Sequence, residues 1–74
     1  MDIAYSQGRY NVFNANGVQI GRIDEDEFVR QGNKLLYRID GAEVYTINGE
    51  LLAFIESGAA ITPNGERLFT ISGE

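Results

Sequence analysis

Apolar and polar residues alternate along this chain in short runs, and the pattern resets every 16 residues. Blocks 8–23, 24–39, 40–55 and 56–71 align without a gap, each with a turn dipeptide at the same place. These are Asn16-Gly17, Gly32-Asn33, Asn48-Gly49 and Asn64-Gly65. Each block closes on Ile23, Ile39, Ile55 or Ile71, and three residues earlier stands Ile20, Leu36, Leu52 or Leu68. A fixed period of this length marks a repeat architecture. Asn-Gly between alternating apolar residues is the strongest short-range hairpin signal, because both residues tolerate the positive φ of a tight turn. Gly32-Asn33 fits the same turn, or a II′ turn with glycine first. The spacing predicts strand pairs at 10–15 and 18–23, 27–31 and 34–39, 43–47 and 50–55, and 59–63 and 66–71. Helix is not expected, since the runs between glycines are short and rich in β-branched and aromatic residues.

A two-residue turn at each dipeptide sets the register. Around Asn16-Gly17 it opposes Phe13 to Ile20, Val12 to Gly21 and Tyr10 to Ile23, and successive pairs alternate between faces. One face then carries Val12/Gly21, Phe28/Tyr37, Val44/Ala53 and Ala60/Phe69 above the four isoleucines. It is apolar over two consecutive levels, so it is expected to form the core, with Phe28 a principal member. The small pair Val12/Gly21 beside the large pair Phe28/Tyr37 predicts that neighbouring hairpins interlock there. The opposite face carries Phe13/Ile20, Val29/Leu36, Tyr45/Leu52 and Ile61/Leu68, an apolar band one pair deep between polar pairs.

The links Asp24-Glu25-Asp26, Asp40-Gly41-Ala42 and Glu56-Ser57-Gly58 are short, so successive hairpins lie side by side. Lone hairpins are unstable and open edges invite aggregation; closing eight strands into a ring removes both problems. The expected fold is all-β: a single domain over residues 1–74, with four antiparallel β-hairpin repeats of 16 residues forming a shallow closed pseudo-fourfold barrel. The alternative is a fragment of a longer β-repeat array, which predicts unprotected ends. Residues 1–9 precede the alternating pattern and are expected either to add a fifth descending strand or to form a disordered leader.

The repeated unit runs apolar-aromatic-x-x-Asn-Gly-x-x-Ile/Leu-x-x-Ile-Asp. It stands here as Val12-Phe13-Asn14-Ala15-Asn16-Gly17 and Val44-Tyr45-Thr46-Ile47-Asn48-Gly49. Its continuations are Ile20-Gly21-Arg22-Ile23-Asp24 and Leu36-Tyr37-Arg38-Ile39-Asp40. Over residues 8–74 this pattern resembles the four-fold β-flower family. The resemblance implies a small symmetric barrel without catalytic residues. It also implies a shape akin to the tubby-type lipid-binding barrel, in a family some of whose members occur beside membrane segments.

Composition narrows the function. A chain of 74 residues has a thin margin of stability, and small scaffolds lean on disulfides, metals or oligomerisation. There is no Cys and no His, so no disulfide, no thiolate metal site and no cofactor is expected, and self-association is the remaining aid. Six basic against eleven acidic residues give a net charge of −5, the wrong sign for nucleic acid and for anionic lipid surfaces. No apolar run approaches the ~20 residues of a membrane span, so a transmembrane protein is not expected. Met1-Asp2-Ile3-Ala4 lacks the basic-then-apolar pattern of a secretory signal, and the expected address is the cytoplasm.

Without His or Cys the usual bases and thiol nucleophiles are missing, and Ser6, Ser57 and Ser72 have no basic partner at a meaningful spacing. An enzyme is not expected. The run Asp24-Glu25-Asp26-Glu27 lacks the spacing of a calcium loop and reads as a solvated turn. Asp24, Asp40, Glu56 and Ser72 are equivalent across the repeats, so a closed ring puts them on one rim, where a cation is the alternative. Glu27 and Arg38 are expected as an exposed cross-strand ion pair. The band of Phe13, Ile20, Val29, Leu36, Tyr45, Leu52, Ile61 and Leu68 is the candidate interaction or ligand surface, because contiguous exposed apolar area marks a binding site. The leading expectation is a non-enzymatic interaction or assembly domain, working as a homo-oligomer or with a protein partner. The alternatives are a carrier or sensor holding an apolar ligand or lipid in a hydrophobic cup, and cation binding at the acidic rim.

Overall fold

The computed structural model describes residues 4–73. Eight strands follow one another: β1 (Arg9–Phe13), β2 (Gln19–Asp24), β3 (Phe28–Gln31), β4 (Lys34–Asp40), β5 (Glu43–Tyr45), β6 (Leu51–Glu56), β7 (Ala59–Ile61) and β8 (Arg67–Gly73). Every neighbouring pair is antiparallel, and β8 returns to β1 to close an all-β barrel. The closing seam pairs Val12 with Ile71 and Asn11 with Ser72. The molecule measures 28 × 28 × 24 Å, the flattened shape expected of short strands in a ring.

The hairpin tips depart from the expected two-residue turn. In the first, third and fourth hairpins the chain makes a three-residue loop. The Gly17 N–H donates to the Asn14 carbonyl at 3.0 Å, and the Asn14 N–H donates to the Val18 carbonyl at 2.8 Å. Gly49 with Thr46 and Gly65 with Thr62 repeat the pattern. This is a tight turn followed by a left-handed residue and a bulge, with glycine at the left-handed position (φ +81 at Gly17). Its first residue is chosen for its side chain. Asn14 Oδ1 accepts from the Val18 N–H at 3.0 Å, and the Thr46 and Thr62 hydroxyls accept from Glu50 and Glu66. Turns with two positive φ values occur instead in a link, at Ser57 and Gly58.

The longer loop shifts the register by one near the tip, so Phe13 faces Gln19. A second irregularity restores it, and Val12 faces Gly21 as expected, leaving Ile20 as the extra residue. The same bulge recurs at Leu36, Leu52 and Leu68. The isoleucine/leucine position three residues before the closing isoleucine of each repeat is thus a bulge residue. It has no cross-strand partner and packs against the core.

The second hairpin differs from the rest. Its tip is the two-residue Gly32-Asn33, with Gln31 opposite Lys34. Only Gly32 has positive φ, the II′ pattern. Its link from β2 is one residue longer. The Ile39 N–H reaches the Glu27 carbonyl, whereas Ile55 and Ile71 reach Ala42 and Gly58, one residue further back. The two changes cancel in the 16-residue count but slide β3 by one position. Val29, not Phe28, therefore takes the place of Val12, Val44 and Ala60, and is fully buried. Phe28 is only half-buried, opposite Arg38 with the Arg30 guanidinium over its ring. The expected core role of Phe28 is corrected, and Val29 leaves the outward band.

The core is otherwise the expected face: Val12, Ile23, Val29, Ile39, Val44, Ala53, Ala60 and Phe69 are buried. The descending strands contribute Gly21, Tyr37, Ala53 and Phe69 at one level, alternately small and large. Tyr37 and Phe69 come from β4 and β8, half a ring apart, and their rings meet at 5.2 Å between centroids. Gly21 and Ala53 leave them the room. No polar or charged residue is buried among those described.

The segment before β1 is ordered over its described part and is not a strand there; residues 1–3 lie outside the described residues. Tyr5–Gln7 form one 3-10 turn, and Tyr5 is buried edge-on against Tyr10 at 5.1 Å. Burial, and then the neighbouring Tyr10 phenol, raise the Tyr5 pKa above its ordinary 10.0. A raised folded-state value leaves this group's contribution to stability whole below pH 10 and removes it as pH rises through the folded value. Urea titrations should therefore show stability falling above about pH 10, less steeply in Tyr5→Phe. An identical slope in that variant would mean Tyr5 carries none of the dependence.

Candidate functional site

Alternation about the buried positions decides what the outside of the barrel presents. Arg22, Arg38, Phe54 and Thr70 point outward from the descending strands at equivalent positions. Their partners across the seams between hairpins are Arg30, Tyr45, Ile61 and Phe13. Each seam thus has its own chemistry: Arg22 with Arg30, Arg38 with Tyr45, Phe54 with Ile61, and Thr70 with Phe13.

The apolar seam is partly exposed. Phe54 is 41 % exposed and faces Ile61 on one side and Glu43 on the other. Tyr45 lies diagonally above it, opposite Leu51, which is 46 % exposed. Ile47 adds a further exposed side chain at the tip of the same hairpin. Polar contacts border this strip. The Tyr45 hydroxyl donates to Glu43 Oε1 at 2.8 Å, and that bond, with partial desolvation and nearby carboxylates, raises the Tyr45 pKa. Arg38 Nε lies 3.1 Å from Glu27 Oε1 and its Nη2 4.0 Å from Asp40 Oδ2. An apolar centre inside a polar border is the composition of an interface.

The eight-residue band expected from the sequence does not stay together. Val29 is buried, and Ile20, Leu36, Leu52 and Leu68 turn in at the bulges and pack on the core. Phe13, Tyr45 and Ile61 remain on the outer wall, half-buried. Phe54 and Leu51, which the band omitted, are more exposed than any of its members. The signal for Phe54 was present: its repeat equivalents are Arg22, Arg38 and Thr70, so a phenylalanine there breaks an otherwise polar position.

The acidic run is tied down by arginines. Asp24 and Glu25 both approach Arg9 Nε, at 3.2 and 3.3 Å, Asp26 pairs with Arg30, and Glu27 with Arg38. Partial desolvation pushes the Asp26 pKa up, but the Arg30 hydrogen bond, the Phe28 N–H and the Arg30 charge outweigh it and hold the carboxyl below its ordinary value. Glu27 and Arg38 form the expected ion pair although they are not directly opposed, since Arg38 faces Phe28. Four carboxylates drawn to three arginines do not converge. Among the described residues no group of three or more acidic side chains is placed to hold a metal ion. No described helix is long and apolar enough to cross a membrane.

Comparison with protein-family models, with curated proteins and with solved structures returns no match. The reading of this site rests on its own chemistry.

Proposed function

We propose that this chain is a non-enzymatic interaction domain, a barrel of the β-flower kind that associates through its outer wall over β5–β7. The partner is a second copy of the chain or another protein. The observation that carries the reading is Phe54, a large aromatic held outward at 41 % exposure beside Ile61, Tyr45 and Leu51. Clustered exposed apolar side chains mark binding surfaces, and aromatic anchors supply much of their energy. The small size of the chain adds to the argument, since association would cover surface that its own core cannot.

An apolar ligand in a cup has less support. The barrel interior is filled by Val12, Val29, Val44, Ala60, Tyr37 and Phe69, and Ile20, Leu36, Leu52 and Leu68 of the apolar band pack inward. Cation binding at the rim of Asp24, Asp40 and Glu56 also has less support, because Asp24 and Asp40 lie against arginines.

Sedimentation velocity over a range of concentrations tests the association. The wild-type chain is expected to sediment as an oligomer and Phe54→Arg as a folded monomer, its stability within about 0.5 kcal/mol of wild type as for other exposed positions. Val18→Arg, at an exposed site on the first hairpin, is the control and should remain oligomeric. An oligomer that survives Phe54→Arg would rule out this wall, and a wild-type monomer throughout would leave only a different protein as partner.

A further inference from the structure

Each seam between hairpins lies at the centre of one cross-strand row on the outer wall, because directly opposed residues share a face. Across the β2–β3 seam the row reads Asn11, Arg22, Arg30, Leu35. Across β4–β5 it reads Phe28, Arg38, Tyr45, Leu51, and across β8–β1 Ala59, Thr70, Phe13, Gln19. The row through the apolar wall differs from all three. It reads Glu43, Phe54, Ile61, Arg67, an apolar pair at the centre with opposite charges at the two ends.

Arg67 also stands apart by its surroundings. Residues 40–71 hold five acidic residues, Asp40, Glu43, Glu50, Glu56 and Glu66, and Arg67 is the one basic residue among them. Arg9, Arg30 and Arg38 are each drawn to carboxylates of the first two hairpins and their links. Arg67 is exposed and makes no ion pair with a described residue. Glu43 accepts from the neutral Tyr45 hydroxyl and pairs with no described arginine or lysine. Both ends of the row thus lack an opposite charge within the described chain.

Two copies of a chain with net charge −5 repel one another, so a wall that joins them has to set opposite charges face to face. A two-fold axis parallel to the strands, running between Phe54 and Ile61, does this. It reverses the row, lays Phe54 on Ile61 of the partner copy, and brings Glu43 against Arg67 of the partner copy twice per dimer. An axis along the row would instead oppose Glu43 to its own copy. We propose, resting on the association through this wall argued above, that its partner is a second copy of the chain. The two form a closed two-fold dimer held by Phe54 on Ile61 and by reciprocal Glu43–Arg67 pairs. The barrel wall is convex, so contact centres on the apolar pair, and the long Glu43 and Arg67 side chains close its flanks. Such a self-complementary contact is saturated at two chains.

Sedimentation velocity of the full chain over a range of concentrations tests the geometry, with circular dichroism to follow folding. The wild type is expected to be a dimer. Arg67→Glu and Glu43→Arg each set like charges together at both flanks, and each is expected to weaken the dimer about tenfold. In an equal mixture of the two variants the arginines of one meet the glutamates of the other. That mixture is expected to dimerise as tightly as wild type, and so is the double variant. Arg67→Glu keeps the test open if Glu43→Arg, which loses the Tyr45 hydrogen bond, fails to fold. Phe54→Arg separates this inference from the reading beneath it. Monomers in Phe54→Arg, with charge variants that match wild type, would leave the wall as the interface and overturn the two-fold geometry. A mass above two chains would overturn it as well. An oligomer that survives Phe54→Arg would overturn the wall and the dimer together, and a wild type monomeric throughout would overturn the dimer alone.

Discussion

Phe69→Ala is expected to lose about 3–5 kcal/mol, as other buried phenylalanines do on truncation. A domain of this length holds about 4–11 kcal/mol in all, so the variant should sit at or near the edge of folding at 25 °C. The size of the effect follows from where the ring lies. Phe69 is fully buried and meets Tyr37 from the far side of the barrel. The two other side chains at that level are Gly21 and Ala53, which have no atoms to move into the cavity. A site that cannot collapse gives the upper part of the range. Urea denaturation followed by circular dichroism measures it, and Phe69→Leu should cost much less. A midpoint in Phe69→Ala close to wild type would mean the rings do not fill the barrel centre.

Gly21→Ala is the second large effect, by the opposite mechanism. A Cβ at residue 21 would stand 2.4 Å from the Arg30 carbonyl oxygen and 3.3 Å from Val29 Cγ1. The first atom is backbone, so no side-chain rotation relieves the contact, and β3 must move away from β2. Overpacking of this kind costs roughly 1–3 kcal/mol or more. Here it also strains the seam that has a single residue pair. The measurement is again the urea midpoint, with amide exchange to locate the damage. Faster exchange is expected along β2 and β3 first. Gly17→Ala, at a tip where the new methyl meets nothing, should cost only about 1 kcal/mol through its positive φ. Equal losses in the two variants would contradict the close approach at Gly21.

Much of this fold was legible because the period carries it. The 16-residue spacing of the dipeptides and of the isoleucines defined four hairpins, and the short links implied neighbours in order. Closure followed from the need to cover two edges. The core face was readable wherever the register below the bulge matched a two-residue turn, as at Val12/Gly21 and Ala60/Phe69. What was hidden was compensating error. A three-residue loop ending in glycine and a bulge one step below it cancel, so the base registers stayed right while the tip pairs were wrong. In the second hairpin an added link residue and a shortened tip also cancel, and the unbroken period concealed the exchange of Phe28 for Val29. The acidic link had a visible oddity, four consecutive carboxylates; the register named Arg38 for Glu27, but nothing in the spacing named Arg9 for Asp24 and Glu25 or Arg30 for Asp26. Phe54 is legible as a hydrophobic intrusion at a polar position, though it lies outside the regular band. Regularity marks what folds the chain, and the departure at Phe54 marks what faces outward.

The most direct test of association through the outer wall is an isotope-filtered nuclear Overhauser experiment on an equal mixture of labelled and unlabelled chains. It reports only contacts between copies. Cross-peaks are expected from the Phe54 ring to Ile61, Leu51 or Tyr45 of the partner copy. Intermolecular contacts confined to Phe13, Phe28 or Val18, with none at Phe54, would contradict it.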